Sequence, residues 1–206
     1  MTSSVRRNIT NQINKQIVPR WEWRTFGEEF PETEKILQSL ECTRVKHSEE
    51  IYILSSNSQN NCKIRNSLMD IKVVEQIDSD GLEQWKPLLK ASFPISFEIV
   101  RLVLRTLHVR KPLVLRSQYT HHQFLNEIVR EHPELKPVDI KKKRNGYLFE
   151  GVEVEMAELE IGHKRIKTIG AESEDPLKVQ KILKLLHLQN LPNINYIKAL
   201  KKLNGY

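Results

Sequence analysis

The feature that most constrains the fold is an acidic segment, GVEVEMAELEI, at residues Gly151–Ile161. Four glutamates in this segment are spaced among valine, methionine, leucine and isoleucine, which is typical of a β-strand. Alternate side chains of a strand share a face, so Glu153 and Glu155 lie together and Glu158 and Glu160 lie on the opposite face. Carboxylates aligned in this way repel one another unless cations or basic side chains lie opposite them. The segment therefore predicts a basic surface elsewhere in the sheet.

Basic residues recur at alternate positions of other predicted strands. They are Arg20 and Arg24, Lys63 and Arg65, and Lys141 and Lys143, with Lys72 and Arg116 as single positions in further strands. A lysine-rich outer face that protects an edge strand from aggregation would explain any one pair. Repetition over at least five strands instead favours a curved or closed sheet that turns these faces inward. The net charge of +7 agrees with an anionic partner.

The remaining periodicity predicts an α+β protein with a large antiparallel sheet. Short strands separated by polar turns indicate antiparallel pairing, and Leu113–Tyr119 is predicted as one more strand. The predicted helices are Pro31–Glu41, Ser96–Leu107 with Ser96 as N-cap, a helix after the capping box of Thr120 and Gln123, one opened by Asp175 and Pro176, and Asn195–Leu203. The segment Gly81–Lys90, interrupted by Pro87, is predicted to be helical or turn-like.

Length and composition predict a single domain without a membrane segment. A chain of 206 residues can bury a full core, and we expect a flexible polar tail over residues 1–18 followed by one domain over 19–206. No apolar run approaches the roughly 18–20 residues of a membrane helix. Cys42 and Cys62 are too few and too far apart for a disulfide framework or a zinc site. We expect reduced thiols in a cytoplasmic protein, with Cys62 packed in a strand.

Glutamates beside a phosphate-binding basic cluster make chemical sense with a hard divalent cation. Carboxylate oxygens bind Mg²⁺ or Mn²⁺, and the metal bridges them to phosphate oxygens. Arginine and lysine would hold the rest of the phosphate chain. The sequence has neither a GxxxxGK[ST] loop nor GxGxxG, and its histidines lack metal-ligand spacing. These residues predict phosphoryl transfer or phosphohydrolysis without a P-loop.

The order of the motifs resembles the CYTH family, also called triphosphate tunnel metalloenzymes. The resemblance spans roughly Arg20 to the C-terminus and rests on WEWRTF, CKIR, DIKVVEQ, LRSQY, IKKKRNGY, GVEVEMAELEI, and TIGAESED followed by a helix and NINYIKALKKL. Family members form an eight-stranded antiparallel tunnel that holds a triphosphate group with divalent metal. They include inorganic and thiamine triphosphatases, class IV adenylate cyclases and RNA triphosphatases. The resemblance implies a closed or nearly closed antiparallel β-barrel with helices packed outside.

The resemblance also implies roles for individual residues. The family's first strand has Glu-x-Glu-x-Lys, and here Arg20, Glu22 and Arg24 take those places, so arginine replaces the first glutamate. The implied phosphate-binding residues are Arg24, Lys63, Arg65, Lys72, Arg116, Lys141 and Lys143, with Arg144 as an alternative to the last two. The implied catalytic residues are Glu22, Glu155 and Glu158, and the implied metal ligands are Glu153, Glu155, Glu158, Glu160 and Glu172.

The matching acidic pair stays open between Glu153/Glu155, Glu158/Glu160 and the mixed pair Glu155/Glu158. We prefer the mixed pair, because a one-residue bulge near Met156–Ala157 would aim both of its side chains inward.

Three functions follow from these patterns. The leading hypothesis is a phosphohydrolase, dependent on Mg²⁺ or Mn²⁺, that cleaves inorganic tripolyphosphate, a nucleoside triphosphate or thiamine triphosphate in a basic tunnel. The alternative is a non-catalytic module that binds polyphosphate or a nucleotide, motivated by the altered first strand. Nucleic-acid binding through KKKR at 141–144 ranks lowest, because the basic residues share strands with glutamates and aromatic stacking platforms are sparse. No membrane partner is expected.

Overall fold

The computed structural model describes residues 18–110 and 116–205, and ten strands occur in this part of the chain. They are β1 (Arg20–Gly27), β2 (Cys42–Ser55), β3 (Asn61–Arg65), β4 (Leu68–Ile77), β5 (Glu83–Ser92), β6 (Ile95–Ser96), β7 (Gln118–Tyr119), β8 (Leu135–Phe149), β9 (Val152–Ile161) and β10 (Lys164–Ser173). Eight of them close into an antiparallel barrel in the order β1-β10-β9-β8-β2-β3-β4-β5. The predicted eight-stranded closed barrel is confirmed.

Helices form where the sequence provides starting signals. They are α1 (Pro31–Gln38), α2 (Phe97–Thr106), α3 (His121–Gln123) continued by a π-helical segment at Phe124–Val129, α4 (Pro176–Leu185) and α5 (Tyr196–Leu203). Ser96 caps α2, Thr120 and Gln123 form the capping box of α3, and Asp175 caps α4 ahead of Pro176. None of the helices in the described ranges has the length and apolar character needed to cross a membrane.

The prediction of a helix or turn at Gly81–Lys90 is wrong, because this segment contributes most of β5. Strand β5 pairs with β4 from Leu68 and Ser92 to Ile77 and Glu83. Pro87 is tolerated because it lies opposite Lys72 at a register shift, where the ladder is already irregular. Strand pairing in the closed barrel therefore outweighs the preference of Pro87 for a turn or a helix start.

Two predicted segments are only partly described. The expected tail at residues 1–18 lies outside the described residues apart from Val18. Of the strand predicted at Leu113–Tyr119, the described part contains β7, which pairs with β6 outside the barrel.

Two apolar clusters cover the outside of the barrel. One joins α2 and the π-helical segment to β3 and β4, through residues such as Val103, Phe124, Ile64 and Ile71. Cys62 belongs to this cluster and is a free, buried thiol, as expected. The second cluster packs α1 and α4 against strands β1, β9 and β10. These helices hold the barrel wall from outside and leave its interior to the strands and α5.

A third apolar cluster closes one end of the barrel interior. The inward-facing members on the strands are Tyr52, Leu54, Val138, Ile140, Ala157, Leu159 and Ile161. Helix α5 adds Tyr196, Ile197 and Leu200 to the same cluster. The interior is therefore a blind tunnel, apolar at the end that α5 fills and polar at the other.

Candidate functional site

A buried carboxylate, Glu50, lies among basic side chains in the polar half of the tunnel. Its residue surface is 1% exposed. The Nζ atoms of Lys142 and Lys63 lie 3.0 and 3.4 Å from its oxygens, and the guanidinium groups of Arg65 and Arg144 lie at 3.3 and 3.4 Å. Burial opposes ionisation of Glu50, but the charges of Lys142 and Lys63 outweigh burial and hold its pKa well below the usual range. Glu50 is thus ionised at neutral pH and is the shared counter-charge of four cations.

These four cations carry more charge than Glu50 neutralises, even together with the buried Asp70 that lies opposite Lys63 on β4. Burial lowers the pKa of Lys142, and the neighbouring charge of Lys63 lowers it further. Burial also lowers the pKa of Lys63, with Arg65 acting in the same direction. On β2, repulsion by Arg65 lowers the pKa of Lys46. Crowded cations that oppose one another's charge are relieved by an added anion, so this half of the tunnel suits an anionic ligand.

Two stacked tyrosines form the floor beneath this cluster. The rings of Tyr52 and Tyr196 lie 5.6 Å apart at an interplanar angle of 27°. Lys142 donates a 2.8 Å hydrogen bond to the Tyr52 hydroxyl, and its Nζ lies 3.7 Å from the Tyr196 ring centre. The Arg24 guanidinium lies 4.6 Å from the same ring. The electron-rich ring faces support two cations at the closed end.

The start of α5 is fixed to the barrel by polar contacts. The amide of Asn195 donates to both oxygens of Glu83 at 3.0 and 2.8 Å, and Lys198 donates to Glu83 at 2.6 Å. Upstream, the backbone N–H of Ile194 donates to the carbonyl of Arg24 at 2.6 Å. The floor that Tyr196 provides is therefore held rigidly against β1 and β5.

Glutamates line the opposite wall, around a cavity of about 400 Å³. The cavity is lined in part by Glu22, Glu153, Glu155 and Glu172. Register explains their proximity, because Glu172 pairs with Glu22 on one side and with Glu153 on the other. Burial and the charge of Glu22 raise the pKa of Glu172, so this carboxyl holds a proton more readily than usual.

Two arginines of β1 already contact these glutamates. Arg20 Nη1 lies 2.8 Å from Glu153 and 3.1 Å from Glu172. Deeper in the tunnel, Arg24 lies 3.0 Å from Glu22 and 3.5 Å from Glu155 through different nitrogens. Burial opposes the charge on Arg24, but the surrounding ionisable groups outweigh it and raise its pKa.

Gly170 creates the space that Arg24 needs. It pairs with Arg24 on β1 and with Glu155 on β9. A Cβ atom at this position would lie 2.4 Å from Nη2 of Arg24 and 2.6 Å from its Cζ. The guanidinium crosses β10 to reach Glu155 over the face of this glycine.

Comparisons with known proteins agree with the architecture. None of the protein-family models matches the chain, and no curated protein matches it. A solved structure from Hippeastrum, described as a putative adenylyl cyclase with a dominant triphosphatase activity, is 13% identical, with a TM-score of 0.52, and the match covers 90% of this chain and 96% of that one. A putative adenylate cyclase from Bacillus halodurans is 14% identical, with a TM-score of 0.48, and the match covers 86% and 95%.

The chain has the CYTH tunnel fold. Eight of the predicted site residues face the CYTH tunnel. They are Glu22, Arg24, Lys63, Arg65, Lys72, Glu153, Glu155 and Glu172. Lys72 is close enough to Glu22 for its charge to help lower the pKa of that carboxyl, which burial alone would raise. The individual roles of these residues remain predictions.

The predicted inward positions of Glu158, Glu160, Lys141 and Lys143 are wrong. Strands β8, β9 and β10 pair in unbroken register, with no bulge at Met156–Ala157. Because the alternation is unbroken, these four side chains point away from the tunnel. Their exposed fractions range from 48 to 69%. The preference for the mixed pair Glu155/Glu158 is wrong, because it required that bulge.

The predicted tunnel position of Arg116 is also wrong. Its guanidinium forms a surface ion pair at 2.7 Å with Glu127 of the π-helical segment. Both side chains are exposed, at 46 and 40%. This part of the chain packs outside the barrel, so Arg116 is removed from the candidate phosphate-binding set.

Sequence reasoning missed Glu50 and Lys142 and named Arg144 only as an alternative. The signal for β8 was present, because the apolar residues Val138 and Ile140 have the same parity as Lys142 and Arg144. Both apolar side chains are buried in the tunnel cluster. Continuing their alternation would have placed the correct two of the four consecutive basic residues inside.

The described carboxylates do not fit a resident metal ion. Residues 18–110 and 116–205 contain no group of three or more acidic, histidine or cysteine side chains arranged to hold one. The cause is visible in the ion pairs, since the four cavity glutamates are bridged by Arg20 and Arg24. Each of the four cavity glutamates is therefore already in an ion pair with a guanidinium group of the chain itself.

Proposed function

We propose that the protein binds the triphosphate group of a small molecule inside its tunnel. The observation that supports this most directly is the largely buried cluster of Lys63, Arg65, Lys142 and Arg144 around the carboxylate of Glu50. A net excess of buried cations is costly in an empty site and favourable around a compact polyanion. Arginines can bind phosphate oxygens in bidentate fashion, and lysines act as point charges beside them.

The blind end narrows the class of ligand. Because α5 fills one end of the barrel, a linear ligand enters end first and cannot pass through. A polymer such as nucleic acid would have to present a free phosphorylated end. The number of inward cations exceeds what a single phosphate could contact, which favours a chain of several phosphates. Inorganic tripolyphosphate, a nucleoside triphosphate and thiamine triphosphate all present such an end.

Calorimetric titration with tripolyphosphate tests this function. We expect saturable binding that weakens by at least about tenfold in Arg65→Ala, because a phosphate contact is lost. Arg116→Ala is the matched control, since this arginine lies on the surface away from the tunnel. Absence of binding, or equal weakening by both substitutions, would refute the proposal.

Hydrolysis of a phosphoanhydride bond is a second candidate function. It is favoured by the acidic wall, which places Glu22, Glu155 and Glu172 around one cavity. Lys72 and Lys63 are close enough to Glu22 for their charges to lower its pKa. A carboxylate there could orient an attacking water, and the raised pKa of Glu172 suits it to exchange a proton. The Hippeastrum protein with the same fold is described as having triphosphatase activity.

A phosphate-release screen distinguishes binding from hydrolysis. The substrates are tripolyphosphate, longer polyphosphate, ATP and thiamine triphosphate, each with and without Mg²⁺ or Mn²⁺ supplied as the substrate complex. If the protein is a hydrolase, Glu155→Gln should abolish phosphate release while Glu158→Gln, on the outer face of the same strand, leaves it unchanged. If no substrate releases phosphate while tripolyphosphate still binds, the protein binds triphosphate without hydrolysing it.

A further inference from the structure

Arg20 occupies the place of a cation at the mouth of the tunnel. Its Nη1 atom lies within 2.8 Å of Glu153 and 3.1 Å of Glu172, which are direct cross-strand neighbours on β9 and β10. One guanidinium nitrogen therefore bridges two carboxylates from adjacent strands. Glu22 is the cross-strand neighbour of Glu172 on the other side. A divalent ion would have to displace Arg20 to reach this group of carboxylates.

Arg24 repeats the arrangement one step deeper. It bridges Glu22 and Glu155 with two different nitrogens. The absence of a side chain at Gly170 leaves room for this guanidinium and for no Cβ. Arg24 also rests on the Tyr196 ring of the floor. The chain therefore builds a specific seat for the guanidinium between the carboxylates.

The charge on these two side chains is permanent. A guanidinium stays protonated at every pH at which the protein is folded. Its charge therefore stays in the site, whereas a bound metal ion can dissociate. Together the two groups supply a double positive charge at fixed positions between the acidic wall and the cavity. This charge reduces the repulsion that the four carboxylates would exert on an entering polyphosphate.

We propose that this tunnel binds triphosphate without a divalent cation, with Arg20 and Arg24 in place of the metal. The inference rests on the proposed triphosphate-binding function and specifies how the acidic wall is neutralised. It separates two properties of the site: the basic cluster around Glu50 provides attraction, and the two arginines remove the need for metal. Substituting Arg20 by an acidic residue should restore that need.

The test is calorimetric titration of tripolyphosphate into the full chain, in EDTA and in excess Mn²⁺. For the unmodified protein we expect dissociation constants that agree within about threefold between the two conditions. For Arg20→Glu we expect binding in EDTA to weaken by at least about tenfold and Mn²⁺ to restore it. The free Mn²⁺ signal in electron paramagnetic resonance should fall on adding Arg20→Glu protein and stay unchanged with the unmodified protein.

Arg116→Glu controls for the charge change, because it alters net charge equally at a surface site. Arg20→Ala serves if the acidic substitution impairs folding, and should lose affinity in EDTA. Binding by the unmodified protein that is more than tenfold tighter with Mn²⁺ than in EDTA would overturn the metal-independent site while leaving triphosphate binding intact. No binding under either condition would instead refute the proposed function itself.

Discussion

Lys142 and Glu50 meet inside the barrel at 3.0 Å, and both residues are almost completely buried. They come from paired strands, β8 and β2, and Glu50 lies opposite Ile140 in that ladder. Lys142 also contacts Tyr52, so the ion pair stands directly on the aromatic floor. A buried pair of this kind contributes little net stability by itself, but removing one partner leaves the other charge uncompensated.

Glu50→Gln should therefore destabilise the ligand-free protein by roughly 3 kcal/mol. Four cations would keep their mutual repulsion and lose their shared counter-charge. Tripolyphosphate should recover much of the loss, because an anion can replace the carboxylate. Urea denaturation with and without tripolyphosphate measures both effects. Glu49→Gln, at a neighbouring side chain that is 81% exposed, is the control. Equal stability of the two variants would contradict the central role of Glu50.

The Glu50 carboxylate makes the free energy of unfolding sensitive to acid. Its folded pKa lies below the ordinary glutamate value of 4.5, so the unfolded chain takes up this proton first as the pH falls. The stability from Glu50 is fully present above the unfolded pKa and is lost as the pH falls through the folded pKa. The stability difference between the unmodified protein and Glu50→Gln should shrink as the pH is lowered below about 4.5. A difference that stays constant down to acid unfolding would contradict this linkage.

Ligand affinity should depend on pH in the alkaline range. Lys142, Lys63 and Lys46 have pKa values below the ordinary lysine value of 10.5, so they begin to lose protons early as the pH rises. A bound anion stabilises their charged forms, so binding takes up protons and weakens as the pH increases toward 10.5. Calorimetry in two buffers of different ionisation enthalpy measures the proton uptake directly. Zero uptake at alkaline pH would show that these lysines do not face the ligand.

Much of the fold could be predicted from the sequence, because strand alternation and helix caps are local signals. The caps at Ser96, Thr120 and Asp175 formed as expected. The wrong predictions concern segments whose structure depends on strand pairing in the closed barrel. Pro87 is accommodated in β5 by a register shift against β4, and nothing local in the chain reveals that shift.

The site was harder to predict, because the choice of inward face is a collective property of the barrel. On β2, apolar residues of both parities pack against other elements: Ile51 and Ile53 pack outward, while Tyr52 and Leu54 pack inward. The hydrophobic pattern of β2 therefore does not indicate whether Glu50 faces into or out of the barrel. On β9, the assumption of a bulge reversed the side of Glu158. The motifs located the correct strands, and the unbroken register decided which of their residues enter the tunnel.

Adjacent lysines on β8 provide the sharpest test of that register. Lys142 is 2% exposed at its side chain and faces the floor, whereas Lys143 is 48% exposed and pairs with Glu158 outside. Lys142→Met should weaken tripolyphosphate binding by at least about tenfold, because one buried phosphate contact is lost. Lys143→Met should change affinity by less than about twofold. Equal effects would indicate that the ligand binds the outer surface.

Gly170→Ala tests the seat of Arg24. The added methyl group would lie 2.4 Å from the guanidinium, which is confined between β10, Glu22 and the Tyr196 ring. We expect a loss of roughly 1–3 kcal/mol in the free energy of unfolding, typical of an overpacked core. Affinity for tripolyphosphate should fall as well, because a displaced Arg24 no longer offsets the charge of Glu155.

Gly146→Ala is the matched control for this substitution. The three atoms nearest to its new Cβ would all belong to the side chain of Arg44, at 3.3 Å or more, and that arginine is 56% exposed and can move aside. The unfolding free energy should therefore change much less than in Gly170→Ala. A combined Gly170→Ala and Arg24→Ala variant should lose no more stability than Arg24→Ala alone, since the methyl group then has nothing to displace. Additive losses would mean that Gly170 is required for some reason other than Arg24.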